Sequence, residues 1–114
     1  MPSLLFILGS ISAAAFFFYG LTCLVSRHMA AEFARYGLAH RRVLVGSLEV
    51  AGAAGLVAGH FIPPVGVAAA AGLALLMACG LWARWRIRDP WYALLPAFVL
   101  GVVNALIAWL ALAR

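Results

Sequence analysis

The sequence predicts an all-α fold: an integral membrane bundle of four antiparallel helices, with both termini on the non-cytoplasmic side. Three observations carry this. The 114 residues are 68% hydrophobic and 10% charged, and mean hydropathy is +1.11, whereas a soluble domain is roughly half apolar and a quarter charged. The apolar residues fall into long runs near the 20 or so needed to cross the hydrocarbon core as a helix. The arginines gather in two stretches between those runs.

Uninterrupted apolar runs exclude barrel strands, which alternate in character. Backbone polar groups in lipid must be satisfied within each segment, which leaves helices. One domain over residues 1–114 is expected, with little chain over for a soluble catalytic domain. The opening MPSLLFILGSISAAAFFFYG lacks a positive n-region and continues without charge to Ser26. It is therefore expected to be a retained first span and not a cleaved signal.

The elements follow in order. The first span is expected at about 3–26. The basic stretch RHMAAEFARYGLAHRR, residues 27–42, places Met29, Phe33 and Tyr36 on one helical stripe, which predicts a short amphipathic turn at the interface ended by Gly37. The second span is expected at about 43–61, before a break forced by Pro63 and Pro64. The third is expected at about 65–85, rich in alanine and glycine. RWRIRD, residues 84–89, follows, and Pro90 suits the first turn of a fourth span at about 91–113. Pro96 is expected to kink that span or mark its first turn.

The two inter-span stretches hold Arg27, Arg35, Arg41, Arg42, Arg84, Arg86 and Arg88; the other side has Arg114. The positive-inside rule puts both stretches in the cytoplasm. Trp82, Trp85, Trp91 and Tyr92 then form an interfacial belt on that side, with Trp109 on the other. The net charge of +5 reads as topology and lipid headgroup contact, not as a nucleic-acid surface. The expected location is the cell membrane, multi-pass, and the bacterial inner membrane for a prokaryotic chain. Expected partners are the bilayer and other membrane or membrane-associated proteins, with homo-oligomers open and no nucleic acid.

Glu49 stands out within VGSLEVAGAAGLVAGH, residues 45–60. An ionisable group in a span is costly, usually faces the bundle interior and usually has a function. It lies about 9 Å in from the helix start, at 1.5 Å per residue. Counting from the cytoplasmic ends of the other spans puts Tyr19 and Cys79 near the same depth. Three readings stay open at this point: a polar clamp with Tyr19 as hydrogen-bond donor, a carboxylate that snorkels to the cytoplasmic surface or pairs with Arg41 or Arg42, and a proton- or ligand-binding acid. Cys23 and Cys79 read as small core residues, with no CxxC spacing.

At 100° per residue, Gly46, Glu49, Ala53, Leu56 and His60 share one stripe, and Gly52, Gly55 and Gly59 an adjacent one. Small residues let helices approach closely in lipid, so Gly46, Gly52, Gly55 and Gly59 are packing candidates. His60 lies about 16 Å along the axis from Glu49. Asn104 reads as an interhelical hydrogen-bonding residue. No His, Cys, Asp and Glu set has metal-site spacing, and no nucleophile–base signature or phosphate loop is present.

FARYGLAHRRVLVGSLEVAGAAGLVAG, residues 33–59, combines an aromatic-glycine element, Gly46-x-x-Glu49-x-x-Gly52 and a Gly55-Leu56 pair. With GLALLMACG, residues 72–80, it resembles the DoxX and DoxX-like membrane proteins over roughly residues 15–110. The family's usual glycine-lysine pair after helix one is absent; Gly20 and Arg27 stand in that region. The resemblance implies a small four-helix membrane protein. Its relatives include subunits of quinone-linked sulfur oxidoreductases, associates of redox defence enzymes and receptor-assembly factors. The expected role is a non-catalytic membrane subunit or assembly partner with Glu49 as its polar centre. The alternatives are a quinone-linked redox component in which Glu49 handles a proton, and a small multidrug/proton antiporter. No cofactor is certain, and a quinone is the one implied.

Overall fold

The computed structural model describes residues 2–113, which form five α-helices and one 3-10 turn. Arg114, expected on the non-cytoplasmic side, lies outside the described residues. The helices are α1 (Pro2–Val25), α2 (Arg27–Arg35), α3 (Arg42–Ala58), α4 (Pro63–Arg86) and α5 (Trp91–Ala113), with the 3-10 turn at Ala39–Arg41 before α3. The described residues contain no strand. Among the described residues three stretches, Ser3–Val25, Pro63–Arg86 and Trp91–Ala113, are long and apolar enough to cross a membrane.

Side chains sort as they do in lipid. Phe16, Ala53, Leu56, Ala70, Leu73 and Ile107 pack inside, while Ile11, Phe18, Leu75, Trp85, Trp109 and Leu112 lie on the outside. Exposed apolar surface on this scale marks a face that meets lipid or another protein. Among the long helices, α1 packs on α3, α3 on α4, α4 on α5 and α5 back on α1.

Local chemistry sets the boundaries. α1 stops at Val25 because Ser26 turns extended (φ −81°, ψ 133°), and the Ser26 hydroxyl accepts from the Met29 N–H to cap α2. α2 ends in a Schellman motif: Gly37 is left-handed at φ 78°, with Gly37 N–H donating to Ala34 O and Leu38 N–H to Phe33 O. α4 ends the same way around Arg88 (φ 61°), with Arg88 N–H donating to Trp85 O and Asp89 N–H to Arg84 O. Arg42 opens α3 and donates to Cys23 O at 2.9 Å and Leu24 O at 2.7 Å. Those are final carbonyls of α1, which lack intrahelical partners.

The structure corrects two sequence expectations. The second apolar helix ends at Ala58, not near residue 61, because residues 59–62 already form the turn. Pro63 and Pro64 do not prolong a break; they occupy the first turn of α4, where their missing N–H groups would have had no helical partner. Of the two places expected for Pro96, the structure has it inside α5 and not in the first turn. Close backbone approach makes the α3–α4 turn tight: a Cβ on Gly59 would stand 2.4 Å from Gly66 Cα.

Candidate functional site

A cavity of about 280 Å³ opens near the end of the fold that carries α2. Its wall draws on every helix: Phe16 and Tyr19 from α1, Phe33 from α2, Glu49 from α3, Cys79 and Gly80 from α4, and Leu100 from α5. The lining is mainly apolar, and the carboxyl of Glu49 is its one acidic group. Glu49 is 8% exposed. Its neighbours on the buried stripe of α3 are Gly46, Ala53 and Leu56, four positions that fall on one face at helical spacing.

The carboxyl makes no hydrogen bond or ion pair with another described residue. Tyr19 shares the cavity wall with Glu49 but does not hydrogen-bond to it. Arg42 is committed to the α1 carbonyls, so it does not pair with Glu49 either. A buried acid without a protein partner is costly, and a polar group entering the cavity would lower that cost. Cys79 also lines the cavity and is exposed, which corrects its reading as a core residue; Cys23 is buried.

α2 roofs this cavity. Met29, Phe33 and Tyr36 line it from above, and Cys23, Phe33, Tyr36 and Ala83 form the apolar cluster beneath the helix. Charges on α2, at the end of α4 and before α5 hold the roof in place. Arg35 donates to Glu32 and, at 2.6 Å, to Asp89 before α5. Arg84 donates to Asp89 at 3.0 Å and lies over the Tyr36 ring at 5.3 Å. Arg86 donates to the Tyr36 carbonyl. The Arg35 guanidinium holds the Asp89 and Glu32 carboxyls below the usual carboxylate range, and both acids raise Arg35 in turn. Burial pushes the Tyr36 hydroxyl up to about 12.

The remaining sequence candidates lie elsewhere. Asn104 is fully buried; it accepts from the Ser12 hydroxyl at 2.9 Å and donates to Leu100 O at 2.8 Å, tying α5 to α1. Gly46 faces α1, where a Cβ would meet Leu24 at 2.8 Å. Gly52, Gly55 and Gly59 face α4, with Leu73, Ala69 and Gly66 against them. His60 lines a separate cavity at the far end.

A model of the DoxX-like family matches residues 7–109. The chain belongs to the DoxX-like family. No curated protein and no solved structure matches it. Family membership and the three long apolar helices make it a membrane protein.

In this DoxX-like protein the Gly46-x-x-Glu49-x-x-Gly52 stretch has a physical meaning. Gly46 brings α1 close on one side, Gly52 brings α4 close on the other, and the acid between them meets the cavity. Sequence reasoning missed three contributors: Arg84, Ser12 and the roofing role of α2. The Met29, Phe33 and Tyr36 stripe carried the signal for the roof, but it reads equally well as contact with lipid. Arg84 is one of three arginines in RWRIRD, and nothing in the sequence separates it from the other two.

Proposed function

We propose that this DoxX-like protein is a multi-pass protein of the cell membrane that acts as a non-catalytic membrane subunit. In this reading α1, α3, α4 and α5 form a four-helix bundle, and the Glu49 cavity receives a small lipophile with a hydrogen-bonding head. The carrying observation is the cavity itself: an apolar space reached by one acid that no other described residue satisfies.

The longest dimension, 41 Å, suits a bilayer of about 40–45 Å including headgroups. α3, at about 25 Å from its 17 residues, is short for a core of about 30 Å, and its flanking turns make up the rest. Arginine placement supports a cytoplasmic α2 and a cytoplasmic α4–α5 connection, with both termini outside.

A quinone fits this site by the chemistry of its lining. Its ring would lie against Phe33 and Leu100, and its polar head would hydrogen-bond to Glu49, with Tyr19 as a second partner. A bound quinone supplies reversible two-electron, two-proton chemistry. The protein's own part is to exclude water with α2 and to hold the Glu49 carboxyl at the ring as a hydrogen-bond partner. Lipid extracts of the purified protein test this by mass spectrometry. A retained quinone that is lost in Glu49→Gln supports the reading; equal quinone content in both proteins, or none in either, removes it.

A further inference from the structure

We infer that the chain carries a second ligand site, at the end of the fold away from Glu49, where the His60 imidazole takes the polar head of a small amphiphile bearing a hydroxyl or carboxyl group. A cavity of about 240 Å³ lies where the start of α1, the α3–α4 turn and the end of α5 meet. Leu5, Phe6, Gly9, Gly66, Ile107 and Ala111 supply apolar wall, and His60 reaches it from the turn.

His60 Nε2 is buried and has no hydrogen-bond partner among the described residues. Buried polar nitrogens are rarely left so, because each forgoes its bonds to water with nothing in return. The ring is also held in place. Phe6 packs on it with centroids 4.6 Å apart, and a Cβ on Gly9 would stand 3.0 Å from His60 Cε1.

The backbone nearby narrows the ligand class. The turn donors are already used: His60 N–H donates to Val57 O, and Phe61 N–H to Ala58 O. The start of α4 offers no nest for an anion. Pro63 and Pro64 have no N–H, while the Val65 and Gly66 N–H groups both donate to Ile62 O. A phosphate would find no set of donors here. The imidazole serves a single group instead, accepting from a hydroxyl or a carboxylic acid, or donating to a carboxylate. The rest of the ligand must be apolar.

This site does not depend on the Glu49 reading. Phe16 and the Ser12–Asn104 hydrogen bond, all fully buried, lie between the two cavities. Along α1 the order is Gly9, Ser12, Phe16; along α5 it is Ile107, Asn104, Leu100.

The test uses the full chain in nanodiscs with ¹⁵N-labelled histidine. His28, His40 and His60 are the three histidines, and the His60 signal is the one missing in His60→Leu. Octanol, octanoic acid and octane are titrated in turn. Octanol and octanoic acid are expected to shift the His60 Nε2 resonance saturably, while octane does not. Ala111→Phe and Leu5→Phe, each filling the cavity with His60 kept, are expected to weaken that response about tenfold or more. Glu49→Gln leaves it unchanged. Unaltered His28 and His40 signals show that a filled variant is folded. An equal response to octane, a response that grows without saturating, or full response in both folded filled variants overturns the proposal.

Discussion

Gly59→Ala is the most exacting test of how α3 and α4 are assembled. The added Cβ would stand 2.4 Å from Gly66 Cα and 2.9 Å from Gly66 N. Carbon atoms rest at about 3.5–4.0 Å, so the two backbones must part by more than an ångström. Neither neighbour is a flexible side chain that can swing away. Overpacking of this kind costs roughly 1–3 kcal/mol. The backbone conformation gives no other reason for harm, since Gly59 has φ −65°, which any residue adopts. Gly59 is the C-cap of α3 and not an interior residue, so helix propensity, worth at most about 1 kcal/mol inside a helix, offsets little of this, and the net loss stays at about 1–3 kcal/mol. Gly72→Ala is the matched control: nothing lies within 4 Å of its Cβ, so only the propensity gain of up to about 1 kcal/mol remains. Unfolding of the two variants and the parent in mixed micelles, followed by helical circular dichroism, gives the ranking. Gly59→Ala as stable as Gly72→Ala would refute the close crossing of α3 and α4.

Two more predictions concern polar contacts. Ser12→Ala removes the donor to Asn104, and interhelical bonds in lipid average about 0.6 kcal/mol with a maximum near 1.7; a loss in that range is expected in the same unfolding assay, and a loss above about 3 kcal/mol would mean the pair does more than join α1 to α5. The Arg35–Asp89–Arg84 network holds its acids at depressed pKa, so its stabilisation is fully present above the ordinary carboxylate value of about 4. It is lost as pH falls from there through the lowered pKa of Glu32 and Asp89. Hydrogen exchange is therefore expected to show α2 protected from pH 7 to about 5 and loosened below about 4, with Asp89→Asn loosened at every pH; equal α2 protection in Asp89→Asn and the parent would show that the ion pairs do not hold the roof.

The helices were legible because lipid demands long apolar runs, and residues 3–26 and 91–113 announce themselves by having no charged residue in the first and none in the second. The boundaries at Ala58 and Pro63 were less so. A proline pair marks a junction, but whether it closes a turn or opens a helix depends on the chain before it, and here that chain turns at residues 59–62. Glu49 was conspicuous because an acid in such a run is rare. Its surroundings were not, because depth counting can place Tyr19 and Cys79 at one level without saying what lies between them. It also could not show that Arg42 is taken by the carbonyls of α1, or that α2 folds down over the acid.

Whether the Glu49 cavity binds a lipophile can be measured directly. Gly80 lines that cavity with nothing within 4 Å of its Cβ, so Gly80→Phe fills the space and leaves Glu49 in place. Equilibrium binding of a short-chain benzoquinone to the protein in nanodiscs is the most direct measurement. Saturable binding to the parent, weakened about tenfold or more in Gly80→Phe, is the predicted result. Binding that is equal in the two folded proteins, or no binding beyond partition into the bilayer, would contradict it.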